Sequence, residues 1–319
     1  MIVKKYSKSI HIEAMKLLIR RLHTSHSLYE KVMTAIHAAT AGEFGEEMVF
    51  RELERMRLPY KYHVYHKLLL HSERSFELDI LLITPFGAVI FEVKNITGEI
   101  EFQENPSQII QRKENGEINK YPCPVTQLKG YKAELAHFFN DHNISIPIYG
   151  AIVFASHKSY VRVSNNQARI LYKNEIIPYL LQLQKKSPIL NDEEMENVKN
   201  ILLNKNTPFT YFPLTKYFSI NPNELLRGVE CPECHYVGMR KIKRTWECPK
   251  CGQKDIHAYK EALASYFLIY KNSITNKECR DFLKLNNRHE ATRILSNENL
   301  IKVGNKKSTY YKMKPFNNR

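Results

Sequence analysis

Three residues in one short stretch carry chemistry that their surroundings do not call for. Residues 76–95 read FELDILLITPFGAVIFEVKN, apolar almost throughout, yet they hold Asp79, Glu92 and Lys94. Side chains two apart on a strand share a face, so Glu92 and Lys94 point together while Phe91 and Val93 point into apolar packing. A reversal at residues 85–87 brings Asp79 opposite the Glu92 end, and the three converge. Buried carboxylates cost free energy unless they are paired or bound to metal. Two of them hold a hard cation such as Mg²⁺ or Mn²⁺, which also accepts phosphate oxygens and acidifies water. Lys94 beside them would orient that water and offset charge developing on phosphorus. This is the chemistry of phosphodiester hydrolysis. The plain alternative is a hairpin edge carrying a solvated Glu–Lys pair.

A second constellation lies far downstream. Cys231-Pro-Glu-Cys234 and Cys248-Pro-Lys-Cys251 are two C-x₂-C knuckles whose spacing brings four thiolates around one Zn²⁺. Four sulfurs leave no open position for water, so such a site is structural. Arg240, Lys241, Lys243 and Arg244 sit between the knuckles and suit phosphate contacts, while Trp246 either stacks on a base or covers the zinc core. His235 and His257 are surplus to a complete cysteine set. Cys279, alone in a helical pattern, and Cys123, between two prolines, need no disulfide, so cysteine usage fits a reducing, cytoplasmic setting.

These residues need a scaffold, and the pattern around them supplies one. Apolar spacing predicts helix over residues 10–56 with a break near 40–45, then strands over 62–70, 76–84 and 88–93. Residues 99–103 extend that meander, and 111–120 form a loop or hairpin tip around Asn115 and Gly116. Helix returns over 126–140, followed by a buried strand at 147–155 and two further helices at 175–184 and 192–204. Residues 207–222 read as a connector.

In order, Gly42-Glu43-Phe44-Gly45-Glu46, Glu77-Leu78-Asp79, Glu92-Val93-Lys94 and Pro124-Val125-Thr126-Gln127 resemble the successive motifs of the nuclease-related (NERD) domain. That domain belongs to the PD-(D/E)XK nuclease superfamily. The resemblance covers residues 39–160 and implies an α/β fold, a restriction-endonuclease-like mixed sheet flanked by helices. It also implies that Glu46 faces the metal beside Asp79 and Glu92, with Glu43 and Glu47 competing for that place, and that Gln127 joins the site. Gln127 and Tyr131, four apart on one helix face, are similar to the Q-x-x-x-Y element of RecB-type nucleases; they touch the substrate backbone or cap the sheet. Cys123 stands where many relatives carry Asn before the proline.

The remaining organisation is modular: an N-terminal helical segment at 1–38, a helical extension and connector at 161–226, a C4 zinc ribbon at 227–257 and a small domain at 258–319. The last has three helical patterns, at 258–270, 275–285 and 288–297, and then a hairpin, a sequence of elements that resembles a winged helix. Under that reading Asn286, Asn287, Arg288, His289 and Arg293 meet the major groove, and Lys306 and Lys307 on the wing touch the backbone. Charge points the same way. The chain carries +15, and 20 basic against 9 acidic residues after position 226 place +11 of it in the last 93 residues. No apolar stretch suits a signal peptide or a membrane span. The sequence thus predicts a Mg²⁺- or Mn²⁺-dependent deoxyribonuclease with DNA-binding accessories. The competing readings are a non-catalytic DNA-binding or regulatory protein on a nuclease scaffold, and a nuclease directed at RNA. Nothing in the sequence specifies an oligomeric state.

Overall fold

A computed structural model describes residues 1–163, 168–207, 212–297, 300–305 and 308–314. In chain order the first elements are β1 (Ile2–Lys4), α1 (Ile10–Arg21), α2 (Tyr29–Arg55), β2 (His63–His71), β3 (Ser75–Thr84), β4 (Gly87–Lys94) and β5 (Gly98–Gln103). There follow β6 (Gln108–Arg112), β7 (Ile118–Pro122), α3 (Pro124–Asp141), β8 (Ile148–Phe154), β9 (Ser159–Arg162), β10 (Arg169–Tyr172), α4 (Ile176–Gln182) and α5 (Asp192–Lys205). The rest comprises α6 (Leu214–Phe218), β11 (Val229–Glu230), β12 (Val237–Ile242), β13 (Thr245–Glu247), β14 (Lys254–Asp255) and α7 (Ala258–Ile269). Last come β15 (Ser273–Thr275), α8 (Asn276–Leu283), α9 (Arg288–Asn297), β16 (Leu300–Val303) and β17 (Tyr310–Met313). These form two compact units, one of Met1–Lys8 with Thr40–Phe209, the other of Ser9–Ala39 with Thr210–Arg319.

The first unit is built on a six-stranded mixed sheet in the order β1-β2-β3-β4-β8-β10. Strands β2, β3 and β4 run antiparallel, and β8 joins β4 in parallel. Strand β4 is buried along nearly its whole length because both its faces are covered. Ala88 and Ile90 pack with Leu128, Leu135 and Phe138 of α3. Val89, Phe91 and Val93 pack with Val49, Phe50 and Leu53 of α2 and Ile176 of α4. Alternation puts Glu92 and Lys94 on the α3 side, as the sequence pattern requires.

Two expectations are corrected in this unit. Helix α2 runs unbroken through Gly42 and Gly45. Gly45 is a packing glycine here: a Cβ would lie 2.5 Å from Asn95 Cβ and 3.4 Å from Ala155 Cβ. The approach it permits outweighs its poor helix propensity of about 1 kcal/mol. Nor does β5 extend the meander; it belongs to a separate four-stranded sheet, β7-β6-β5-β9.

The pleat of the main sheet also reverses phase. Tyr65 and Leu68 on β2, and Leu78 and Leu81 on β3, are three apart yet face the same apolar cluster. A regular strand would set such pairs on opposite faces. On β2 the reversal falls at Lys67, whose φ is +46°. The register, with His66 across from Ile80 and Leu68 across from Leu78, puts Lys67 level with Asp79.

The second unit joins α1, the start of α2 and α6 to a four-stranded sheet β11-β12-β13-β14, helices α7–α9 and a three-stranded sheet β15-β17-β16. Met15 and Leu18 of α1 share one apolar core with Leu263 and Phe267 of α7 and with Trp246. Arg21 is buried in it, donating from Nη1 to the carbonyls of Leu226 and Gly228 at 3.1 Å each. Among the described residues no helix is long and apolar enough to cross a membrane.

Candidate active site

Asp79, Glu92 and Lys94 do come together, and the ladder explains how. The last paired residues of β3 and β4 are Ile80 and Phe91. One step further the Asp79 carboxylate takes the place of a main-chain acceptor, receiving the Val93 N–H at 2.8 Å. Lys67, Asp79 and Glu92 therefore stand level on three neighbouring strands. Lys94 Nζ donates to Glu92 Oε1 at 2.6 Å and to Gln127 Oε1 at 3.1 Å, and Gln127 Nε2 donates to the Tyr131 hydroxyl at 2.8 Å. Gln127 and Tyr131 share one face of α3, which its apolar residues hold against the sheet.

The carboxylates of the cluster are hard to ionise where they stand, in spite of Lys94 and Lys67. Burial, and then Glu46, raise the Asp79 pKa, against the Val93 N–H and Lys94. Burial, and then Asp79, raise that of Glu92, against Lys94. Glu92 is 2% exposed, and its Oε2 has no hydrogen-bond partner among the described residues. A buried carboxylate oxygen left unpaired is costly. A divalent cation between Asp79 and Glu92 would supply what that oxygen lacks, so the donor set fits a hard metal ion. Burial also pushes the Tyr131 hydroxyl up to about 12, which keeps its proton in place.

Of the three candidate glutamates on α2, Glu46 is the one that the other carboxylates feel. Glu47 instead pairs with Arg51. Glu46 Oε2 lies 3.0 Å from His66 Nε2 and 3.1 Å from Lys67 Nζ. Burial raises the Glu46 pKa, while Lys67 opposes the rise. At Lys67 burial works to lower the pKa, but Glu46, Glu77 and Asp79 carry it above the ordinary value. Burial drives His66 down to about 3, so its ring is neutral. Lys4 Nζ donates to the carbonyls of both His66 and Lys67, fastening the kink from the edge strand.

Sequence reasoning missed Lys67, His66 and Lys4. A lysine and a histidine in an apolar strand were the available signal. The left-handed backbone at Lys67 had none, since only Gly, Asn and Asp adopt that region readily.

The four thiols also gather. The Sγ atoms of Cys231, Cys234, Cys248 and Cys251 lie within 4.8 Å of one another, with Cys231–Cys251 and Cys234–Cys248 both at 3.6 Å. A tetrahedron with metal–sulfur bonds of about 2.3 Å has sulfur–sulfur edges near ~3.8 Å, so the cluster could hold a metal ion. Among the described residues it is the one set of three or more metal-binding side chains drawn so close. Glu46, Asp79 and Glu92 stand more openly.

The proposed nucleic-acid contacts are spread over the second unit. Arg240, Lys243 and Arg244 are exposed on or beside the β12–β13 hairpin. Lys241 is half-buried, its Nζ 5.2 Å from the Trp246 ring centre and 3.6 Å from Glu290. Arg288 is exposed, and Arg293 lies 3.5 Å from Glu290. Trp246 is fully buried, which removes it as a stacking platform. Lys306 and Lys307 lie outside the described residues.

The fold and site are those of an α/β protein with an acidic and lysine cluster on the central strands of a mixed sheet in one unit and a four-cysteine centre in the other. The family model of the nuclease-related domain, NERD, matches residues 41–155, the stretch that contains Glu46, Asp79, Glu92, Lys94, Gln127 and Tyr131. The match makes that segment similar to a nuclease-related domain, and it spans well under half of the chain's 319 residues. No curated protein and no solved structure matches the chain.

Proposed function

We propose that the chain is a metal-dependent nuclease that hydrolyses DNA phosphodiester bonds, with Asp79, Glu92 and Lys94 as its catalytic centre and Glu46 and Gln127 as supporting members. The observation that carries this reading is the unpaired Oε2 of buried Glu92 beside Asp79 and Lys94, inside a nuclease-related domain. Asp79 and Glu92 would hold Mg²⁺ or Mn²⁺. When bound, such an ion neutralises charge on the phosphate and acidifies water.

The chain's own groups do the rest. Val93 fixes one oxygen of Asp79, so that carboxylate meets its ligand in a set orientation. Lys94 has two of its three donors engaged, by Glu92 and Gln127, which leaves one aimed ammonium proton to orient the attacking water or offset phosphorane charge. Tyr131 receives a hydrogen bond from Gln127 and keeps its own proton for a substrate oxygen.

In the second unit, the four cysteines would hold a structural Zn²⁺ as a zinc ribbon, and α7–α9 with the β16–β17 hairpin read as a winged helix. Both would bind the DNA, and the basic surplus of the last 93 residues supports that role. The test is cleavage of linear, nicked, circular and single-stranded DNA, and of RNA, with Mg²⁺ or Mn²⁺. Asp79→Ala and Lys94→Ala should each abolish it. Full cleavage by either variant overturns the site, and binding without any cleavage by the wild type would leave a scaffold that binds nucleic acid.

A further inference from the structure

The second unit contains a cleft that neither the catalytic cluster nor the four-cysteine centre uses. Strand β12 and the α8–α9 turn line it, and it encloses about 470 Å³. Its composition is mixed in an informative way. Met239 and Leu285 supply buried apolar wall, while Arg240 and Lys284 are exposed and have no acidic partner among the described residues. Lys241 also borders the cleft, but Glu290 and the Trp246 ring already engage it.

The cleft also holds a mounted aromatic ring. Tyr236 is 42% exposed, although its ring rests on main chain. Gly238 makes the seat: its φ is +143°, and a Cβ there would lie 3.0 Å from Tyr236 Cε1 and 3.3 Å from Cζ. Any other residue at 238 would push the ring off and strain the backbone. Tyr236, Gly238 and Arg240 all line the cleft, so ring, seat and cation are close in sequence and share one wall.

An exposed aromatic face beside uncompensated cations and an apolar wall is what an unstacked base with its phosphates requires. A duplex would use the cations but leave the ring idle, because its bases are already stacked. An acidic peptide would use the cations and leave the ring idle. We propose that this cleft binds single-stranded nucleic acid, one base stacked on Tyr236 and the neighbouring phosphates on Arg240 and Lys284. The inference rests on the reading of the chain as a nucleic-acid enzyme, but it concerns binding and survives a failure to cleave.

The experiment is fluorescence anisotropy of the full chain with labelled single-stranded DNA, single-stranded RNA and duplex DNA, without added divalent metal. Tyr236→Ala should weaken single-strand binding roughly tenfold or more, while Tyr236→Phe retains it, since stacking needs the ring and not the hydroxyl. Arg240→Gln with Lys284→Gln should flatten the log K against log salt slope by about 1.4, near 0.7 for each single-strand phosphate that is no longer neutralised. Unaltered circular dichroism and metal content establish that the variants are folded. A preference among the variants for DNA or RNA names the strand without affecting the cleft. The proposal is overturned if Tyr236→Ala binds single strands as the wild type does, if duplex binding falls equally, or if polyglutamate displaces the strand at equal charge concentration.

Discussion

Glu92→Gln isolates the electrostatic cost of the acidic cluster, because the amide keeps the shape and the acceptor for Lys94 while removing the charge. Burial and Asp79 raise the Glu92 pKa, so the folded chain binds that proton more tightly than the unfolded one. The resulting stabilisation is complete below the ordinary carboxyl pKa and is lost as pH climbs through the raised folded value. Each pH unit in that window removes about 1.4 kcal/mol. Between pH 5.5 and 7.5 the metal-free wild type should therefore lose on the order of 2–3 kcal/mol that Glu92→Gln retains, the opposing pull of Lys94 being already part of the raised value. His66 and His63, whose pKa values burial lowers, gain stability over the same range, but equally in both proteins. Saturating Mg²⁺ should restore the wild type, by about 2.7 kcal/mol at a hundredfold excess over its dissociation constant, and leave the variant unmoved. Urea unfolding at three pH values, with and without Mg²⁺, measures all four terms. Parallel pH curves for the two proteins, or equal stabilisation of both by Mg²⁺, would refute the reasoning.

Four further outcomes follow from particular residues. Lys67→Met removes the cation that faces Glu46 and should destabilise the fold by roughly 1–3 kcal/mol in chemical denaturation, and by less as pH falls and Glu46, whose pKa burial raises, takes up a proton. Gly45→Ala gains about 1 kcal/mol of helix propensity but forces a methyl against Asn95, so stability should shift by under ~2 kcal/mol while the cleavage rate drops tenfold or more through displaced Glu46. Cys248→Ser should abolish bound zinc in elemental analysis. Chelation of the wild type should move the emission of Trp246, the single tryptophan and fully buried, to the red.

Much of the cluster was legible because strand alternation and helix spacing are local rules. Glu92 with Lys94 needed only a period of two and the cysteine knuckles only their spacing, whereas Gln127 and Tyr131 came from resemblance to nuclease motifs, the period of four placing them on one face. What failed to show was decided by contacts distant in sequence. Gly42 and Gly45 carry breaker chemistry, yet α2 continues through them because Asn95 and Ala155 reward the missing side chain at 45. The phase reversal at Lys67 is invisible where residues on both faces are apolar, since slipping the pattern by one leaves it apolar. Trp246 and Tyr236 illustrate the same limit: both are aromatics in a basic hairpin region, and only packing decides that the first is core and the second is surface.

The two units are threaded through one another along the chain, which crosses between them after Lys8, after Ala39 and after Phe209. During synthesis the sheet around Asp79 and Glu92 has all its strands once residue 209 has emerged. Helix α1, by contrast, carries Ile12, Met15 and Leu18, which share a core with residues beyond 213. Those side chains are made well before the residues of α6 and α7 that pack on them. A chain translated only as far as residue 213 thus holds the apolar face of α1 without the residues that complete its core.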